Sequence, residues 1–157
     1  MKIRTVCRAA VLAVASLSIA VLVAAPAHAQ QRPKGTPVKW DQARVTQMAK
    51  DLHAAINEAV QAVRQDPTQI SVEQRAVWYD LKETLRLLEN SAGKLESDLQ
   101  GGAGAEETTA TFNRIESLRR DAEETGRKSL IPATVMDALV KAGAIHNQMR
   151  PYYLGKL

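Results

Sequence analysis

Cysteine is almost absent from this 157-residue sequence, which contains only Cys7, close to the amino terminus. The chain beyond Ala29 therefore has no disulfide framework, no thiolate metal site and no thioether attachment for haem. Aromatic residues are also scarce, at 4% of the sequence. Stability must come from an aliphatic core, and the length is sufficient for one domain.

Without the amino-terminal segment, the chain has no strong excess of positive charge. The whole sequence has 21 Lys and Arg against 17 Asp and Glu. Lys2, Arg4 and Arg8 lie in the segment 1–29, which has no acidic residue, and removing these three of 21 leaves 18 basic residues against 17 acidic ones. Nucleic-acid binding needs a basic surface, so we do not expect a nucleic-acid partner.

The segment 1–29 has the composition of an export signal. The basic segment 1–8 precedes an uncharged stretch over 9–25, and Ala27-His28-Ala29 matches the small-x-small pattern of a signal-peptidase site. We expect a Sec-type signal peptide at 1–29 that is cleaved after Ala29 and delivers a periplasmic or secreted protein. The uncharged stretch is shorter than the about 20 residues of a membrane-spanning helix, so no stable membrane insertion is expected after cleavage.

Apolar residues recur at intervals of three and four residues in four segments, as they do on one face of a helix. Strand-like alternation is missing. The second segment has the most regular heptad pattern, typical of a coiled coil, formed by Leu81, Leu85, Leu88, Ala92, Leu95 and Leu99. The predicted helices run from a cap near Asp41 to before Pro67, from an N-cap at Ser71 to Gly101, from Ala105 to a Gly126 C-cap, and from Pro132 to Pro151.

Short connections between the predicted helices favour antiparallel neighbours. We therefore predict an all-α, up-down-up-down antiparallel four-helix bundle over 41–150, after a flexible leader at 30–40 and before a carboxy-terminal tail at 151–157. The third helix has a narrow apolar face, which is either partly exposed or covered in a homodimer; it consists of Phe112, Ile115, Leu118 and Ala122.

No catalytic motif is present in the sequence. The glycine-rich segment 101–104 lacks the Lys-Ser/Thr pair of a P-loop and is predicted to be a turn. Neither His53 nor His146 follows a glutamate by three residues, as a di-iron bundle requires. A serine-hydrolase elbow and a zincin helix are also missing. The short basic pair Arg119-Arg120 is expected to form surface ion pairs. Because the catalytic motifs are missing, we predict a structural or binding protein and not an enzyme.

His146 is the most interesting polar residue, because helical spacing places it beside the core in the last turns of the fourth helix. An unpaired buried imidazole costs about 1 to 3 kcal/mol, so it needs a partner, a water or a ligand. The segment His146-Asn147-Gln148-Met149-Arg150 resembles the haem-binding end of the four-helix periplasmic cytochromes, the soluble b-type member and the c-prime group. Met149 replaces their aromatic residue, and no cysteine pair precedes His146.

This resemblance implies non-covalent binding of haem b and a role in electron transfer. His146 would be one axial ligand, Arg150 would retain the basic residue of the family pattern, and Met48 of the first helix would be the second axial ligand, as in the b-type member. An early residue of the first helix and a late residue of the fourth lie at the same end of an antiparallel bundle, which permits coordination from both sides.

Copper is a second candidate ligand. His146 and Met149 are three residues apart on one helix face, and either Met48 or His53 would add a third ligand. Imidazole nitrogen and thioether sulfur are donors that copper accepts. The sequence therefore leaves haem and copper open as alternatives to an interior filled only by side chains.

Two aromatic segments suggest a third class of function, protein interaction. Tyr152 and Tyr153 follow the fourth helix, and Trp78 and Tyr79 lie in the second. We expect the tail to close the end of the bundle and Trp78 to fill the core, whereas exposure of these rings would indicate docking of an envelope protein or a second copy of the chain. A structural or binding role is our first prediction, and a haem-binding electron carrier is the alternative.

Overall fold

The computed structural model describes residues 36–65, 72–128 and 131–154, and these contain four helices and no strand. The predicted signal peptide with its cleavage site, and the predicted N-cap at Ser71, lie outside the described residues. No helix in the described ranges has the length and apolar character needed to cross a membrane. The helices are α1 (Gln42–Gln65), α2 (Val72–Gln100), α3 (Ala105–Lys128) and α4 (Ala133–Tyr153).

The four helices form a ring in chain order. Each packs along its sequence neighbours and α4 returns to pack on α1, while the backbones of the diagonal pairs do not approach closely within the described helices. Neighbours are antiparallel: the Val38 amide, just before α1, donates to the Pro151 carbonyl oxygen near the end of α4 at 3.1 Å. The hydroxyls of Thr108, early in α3, and Tyr153, at the end of α4, are 3.0 Å apart. The predicted all-α four-helix bundle is confirmed.

The core is aliphatic, as the composition predicts. All six heptad residues of α2 are buried. The residues that recur at helical spacing in the sequence of α1 are buried as well: Val45, Met48, Leu52, Ile56, Ala59 and Val63. Burial of each large aliphatic side chain contributes about 1.5 to 3 kcal/mol. Trp78 is buried, whereas its neighbour Tyr79 is 67% exposed. The narrow apolar face of α3 is buried at Phe112, Ile115 and Ala122, and Leu118 packs against the core while partly exposed.

Pro151 does not end α4, contrary to the prediction that the helix stops there and a tail begins. The helix passes through it and ends at Tyr153. A proline within a helix removes one backbone hydrogen bond and costs about 3 kcal/mol. The side chains of Tyr152 and Tyr153 are buried by this last turn, and their burial offsets the cost.

Gly126 is also placed differently from the prediction. It is buried inside α3, which continues to Lys128, and does not serve as its C-cap. A Cβ atom on Gly126 would lie 2.6 Å from the Cδ1 atom of Ile131. A larger residue would clash at this position, because the chain entering α4 packs against the backbone of α3.

Residues 36–40 belong to the bundle, although the sequence suggested a flexible leader there. Besides the backbone bond of Val38, the Trp40 ring packs edge-on against Tyr153, with ring centroids 5.5 Å apart. The Trp40 indole N–H donates to Oε1 of Gln42 at 2.8 Å. The predicted cap of α1 is confirmed, because Oδ1 of Asp41 accepts a hydrogen bond from the Arg44 amide at 3.0 Å.

Candidate functional site

His146 lies in the interior between α3 and α4, where it is fully buried. Its ring stacks on Phe112, with centroids 4.1 Å apart and planes 9° from parallel. Phe112 also stacks on Tyr153, at 4.0 Å and 11°. Two rings at these distances must occupy opposite faces of Phe112, so His146, Phe112 and Tyr153 form one aromatic column. Stacked aromatic pairs contribute about 0.5 to 1.5 kcal/mol beyond their burial.

The hydrogen bonding of His146 defines its tautomer. Nε2 lies 3.3 Å from the carbonyl oxygen of Phe112, which only accepts, so Nε2 carries the proton. Nδ1 is buried and has no protein partner in the described part of the chain. Burial lowers the pKa of His146 to about 4, and the charges of Arg119 and Arg150 act in the same direction. The imidazole is therefore neutral at pH 7.

A cluster of ion pairs lies near His146. Glu116 of α3 accepts hydrogen bonds from the guanidinium groups of Arg120 and Arg150. Burial alone would raise the pKa of Glu116, but the hydrogen bond and charge of Arg150, with the charge of Arg120, hold it below its usual value. Arg150 therefore ties the end of α4 to α3.

Arg119 forms the second part of this ion-pair cluster. It pairs with Glu123 on the same helix, and its side chain is only 12% exposed, which corrects the expectation of a surface pair. Gly143 of α4 makes room for it, because a Cβ atom there would lie 3.1 Å from Nη1 of Arg119. Nε of Arg119 is buried without a protein partner in the described chain. Polar side chains thus fill part of the contact between α3 and α4, the loosest of the four.

The predicted haem ligands can be compared with this geometry. Met48 is buried on α1 and lies in the same half of the bundle as His146, as expected from the antiparallel arrangement. An axial histidine directs a nitrogen lone pair at the iron of a flat macrocycle. Here the Nε2 proton is directed at the Phe112 carbonyl, the Phe112 ring covers one face of the imidazole, and Arg150 is held by Glu116. In this packing Nε2 of His146 and the guanidinium of Arg150 already have hydrogen-bond partners, so a haem held by Nε2 would require His146 to move away from the Phe112 carbonyl.

The predicted copper ligands are directed to different helices. His53 faces α2, where Nδ1 lies 2.7 Å from Oε2 of Glu96, whereas His146 faces α3. Met149 is fully buried in the core. Among the residues that the structure describes, no three His, Cys, Asp or Glu side chains are grouped as a metal site would need.

Sequence reasoning identified His146 but not its surroundings. Its hydrogen-bond acceptor is a backbone carbonyl 34 residues away, which no side-chain pattern reveals. Glu116 and Arg119 are charged residues next to apolar positions of α3. This neighbourhood is the only feature of the sequence that indicates that they face α4. As arranged, the site can hold two helices together and respond to protonation of His146.

Comparisons with known proteins found no relative of this chain. No protein-family model, curated protein or solved structure matches this chain. They neither support nor oppose the resemblance to the four-helix cytochromes. Function must therefore be inferred from the chemistry of the chain and from the geometry of its candidate site.

Proposed function

We propose that this protein is an exported, periplasmic or secreted helical bundle with a structural or binding role, and that it is not an enzyme. The environment of His146 carries this proposal. The imidazole is enclosed by the aromatic column, donates to a backbone carbonyl and is neutral at pH 7. These features are those of a histidine that packs in the core.

The same contacts argue against acid–base catalysis by His146. A general base works best with a pKa near the working pH and must reach the proton that it removes. His146 has a pKa of about 4 and no exposed surface. Burial in the core therefore accounts for the lowered pKa of His146 without a catalytic role.

Export is inferred from the sequence of the segment 1–29. Its test is the mass of the protein recovered from the periplasm of a Gram-negative host. We expect an amino terminus at Gln30, produced by cleavage after Ala29. An intact amino terminus on protein held in the membrane would contradict export as a cleaved protein.

A haem titration tests the proposed role against the electron-carrier alternative. The mature chain, Gln30 to Leu157, is titrated with haem under oxidising and reducing conditions, beside the variants His146→Gln and Met48→Leu. We expect all three to leave the spectrum of free haem unchanged while circular dichroism shows a folded helical protein. A saturable Soret shift at one equivalent that both variants lose would establish a b-type cytochrome.

A binding role implies a partner, which we infer to be another envelope component or a second copy of this chain. Sedimentation velocity of the mature chain at micromolar concentration separates the two. A single species with the mass of one chain favours a different envelope partner. A concentration-dependent dimer would identify the second copy.

A further inference from the structure

A groove opens between α1 and α2, at the end of the bundle remote from the aromatic column. It encloses about 310 Å³. This volume falls within the range of about 300 to 1,000 Å³ that is typical of small-molecule sites. Its floor is formed by Val60, Val63 and Leu85, which are all buried members of the core. An apolar ligand in the groove would therefore rest on aliphatic side chains.

The rim of this groove has an excess of positive charge. It contains Arg64, Lys82 and Arg86 but a single carboxylate, Glu83. Arg86 neutralises Glu83 through two hydrogen bonds, from Nε at 2.9 Å and from Nη2 at 2.7 Å. The hydrogen bond from Arg86 lowers the pKa of Glu83, so the pair is ionised at neutral pH. Arg64 and Lys82 have no carboxylate partner in the described residues.

The position of Lys82 is defined by a contact with Trp78. Its ammonium nitrogen lies 5.7 Å from the centroid of the Trp78 ring, within the distance of a cation–π interaction. The flexible stem of Lys82 is thus held along α2 at the rim of the groove. Such a contact leaves the ammonium N–H groups available to an anion, because the ring face accepts no conventional hydrogen bond.

Tyr79 adds an aromatic surface to the same rim. Its side chain is 67% exposed, the largest exposure of a bulky apolar residue in the described chain. An amphipathic ring of this kind provides a flat contact surface for an apolar ligand and loses little conformational entropy on binding. The groove therefore combines an apolar floor, an exposed ring and two cations that have no carboxylate partner among the described residues.

We propose that this groove binds a small monoanionic amphiphile, with its apolar body on Val60, Val63 and Leu85 and its carboxylate at Arg64 and Lys82. This inference rests on the proposed binding role and names the chemical class of the ligand. A cationic amphiphile would be repelled at the rim, and a neutral one would form no ion pair with Arg64 or Lys82. The carboxylate can belong to a fatty acid or to an aromatic acid, and a comparison of decanoate with 2-naphthoate separates the two.

Isothermal titration of the mature chain with decanoate tests the charge requirement. Decanol and decyltrimethylammonium are the neutral and cationic probes of the same chain length. We expect saturable binding of decanoate at one equivalent and at least tenfold weaker binding of both other probes. Equal binding of decanol and decanoate would overturn the proposal, as would the absence of saturable binding by every carboxylate tested.

Substitutions on the rim locate the site. Arg64→Gln and Lys82→Gln should each weaken carboxylate binding about tenfold, because each change removes a charge-assisted hydrogen bond to the carboxylate. Arg44→Gln and Lys50→Gln make the same charge changes on the other half of α1, at exposed positions away from the groove. These controls should bind like the wild type. Equal losses in rim and control variants would indicate non-specific electrostatics and overturn the site.

Comparison of decanoate with 2-naphthoate identifies the source of the carboxylate. If the natural ligand is aromatic, 2-naphthoate binds more tightly, and Tyr79→Ser removes that advantage. If it is a fatty acid, decanoate binds more tightly and Tyr79→Ser has a smaller effect. The groove and His146 lie in different parts of the fold, so failure here leaves the haem titration unaffected. Haem binding would overturn the proposed function without altering these results.

Discussion

Mild acid should destabilise this protein through His146. The folded protein holds the pKa of this imidazole near 4, whereas its ordinary value is 6.5. The unfolded chain therefore binds more protons between these values, and stability decreases as the pH falls through this window. For a shift of this size, the free energy of unfolding should fall by about 2 kcal/mol between pH 7 and pH 5, and by about 3 kcal/mol at pH 4.

Measurement at pH 5 separates His146 from the carboxylates. Arg150 and Arg120 keep the pKa of Glu116 below its ordinary value, so the adjacent carboxylate remains ionised at this pH. Urea unfolding is followed by circular dichroism at pH 7 and pH 5, for the wild type and two variants. His146→Gln retains a donor for the Phe112 carbonyl, and His146→Phe retains a ring that can stack on Phe112.

Both variants should be less stable than the wild type at pH 7, because neither reproduces all the contacts of the imidazole. Their stability should change by less than about 0.5 kcal/mol between pH 7 and pH 5, against about 2 kcal/mol for the wild type. The reasoning would be refuted if the wild type were equally stable at both pH values. Equal acid losses in all three proteins would refute it as well.

Two further predictions concern stability at neutral pH. Asp41→Ala removes the cap of α1 and should lower the free energy of unfolding in urea by about 1 kcal/mol. The control is Asp51→Ala, in the middle of the helix. Equal losses of stability in the two variants would contradict the capping role. Thr108→Val leaves the buried Tyr153 hydroxyl without its partner and should lower the free energy of unfolding by about 1 to 3 kcal/mol. Tyr153→Phe should cost less, because Thr108 keeps its hydrogen bond to the Gly104 carbonyl. A lower melting temperature for Tyr153→Phe than for Thr108→Val would contradict this assignment.

The bundle could be predicted from the sequence because its core follows local periodicity. The heptad residues of α2 face inward, as a repeat of three and four requires, and the Asp41 cap is a local signal. The end of α4 could not be predicted by the same rules. Local propensity stops a helix at Pro151, but tertiary packing of Tyr153 against Phe112 and Trp40 carries it through.

The candidate site could be predicted only in part, for a similar reason. Helical spacing showed that His146 lies beside the core and needs a partner. That partner is the backbone of Phe112 on another helix, and the burial of Arg119 depends on the space that Gly143 leaves across the interface. Such complementarity between helices distant in sequence is a property of the assembled bundle.

The most direct test of the structural role of His146 is its imidazole nitrogen spectrum. In ¹⁵N-labelled mature protein at pH 7, long-range proton–nitrogen correlations should show a neutral ring that is protonated at Nε2. The titration midpoint should lie near pH 4, and one equivalent of haem should leave the signals unchanged. A charged ring at pH 7, a midpoint near 6.5, or loss of the signals when haem is added would contradict a buried structural histidine.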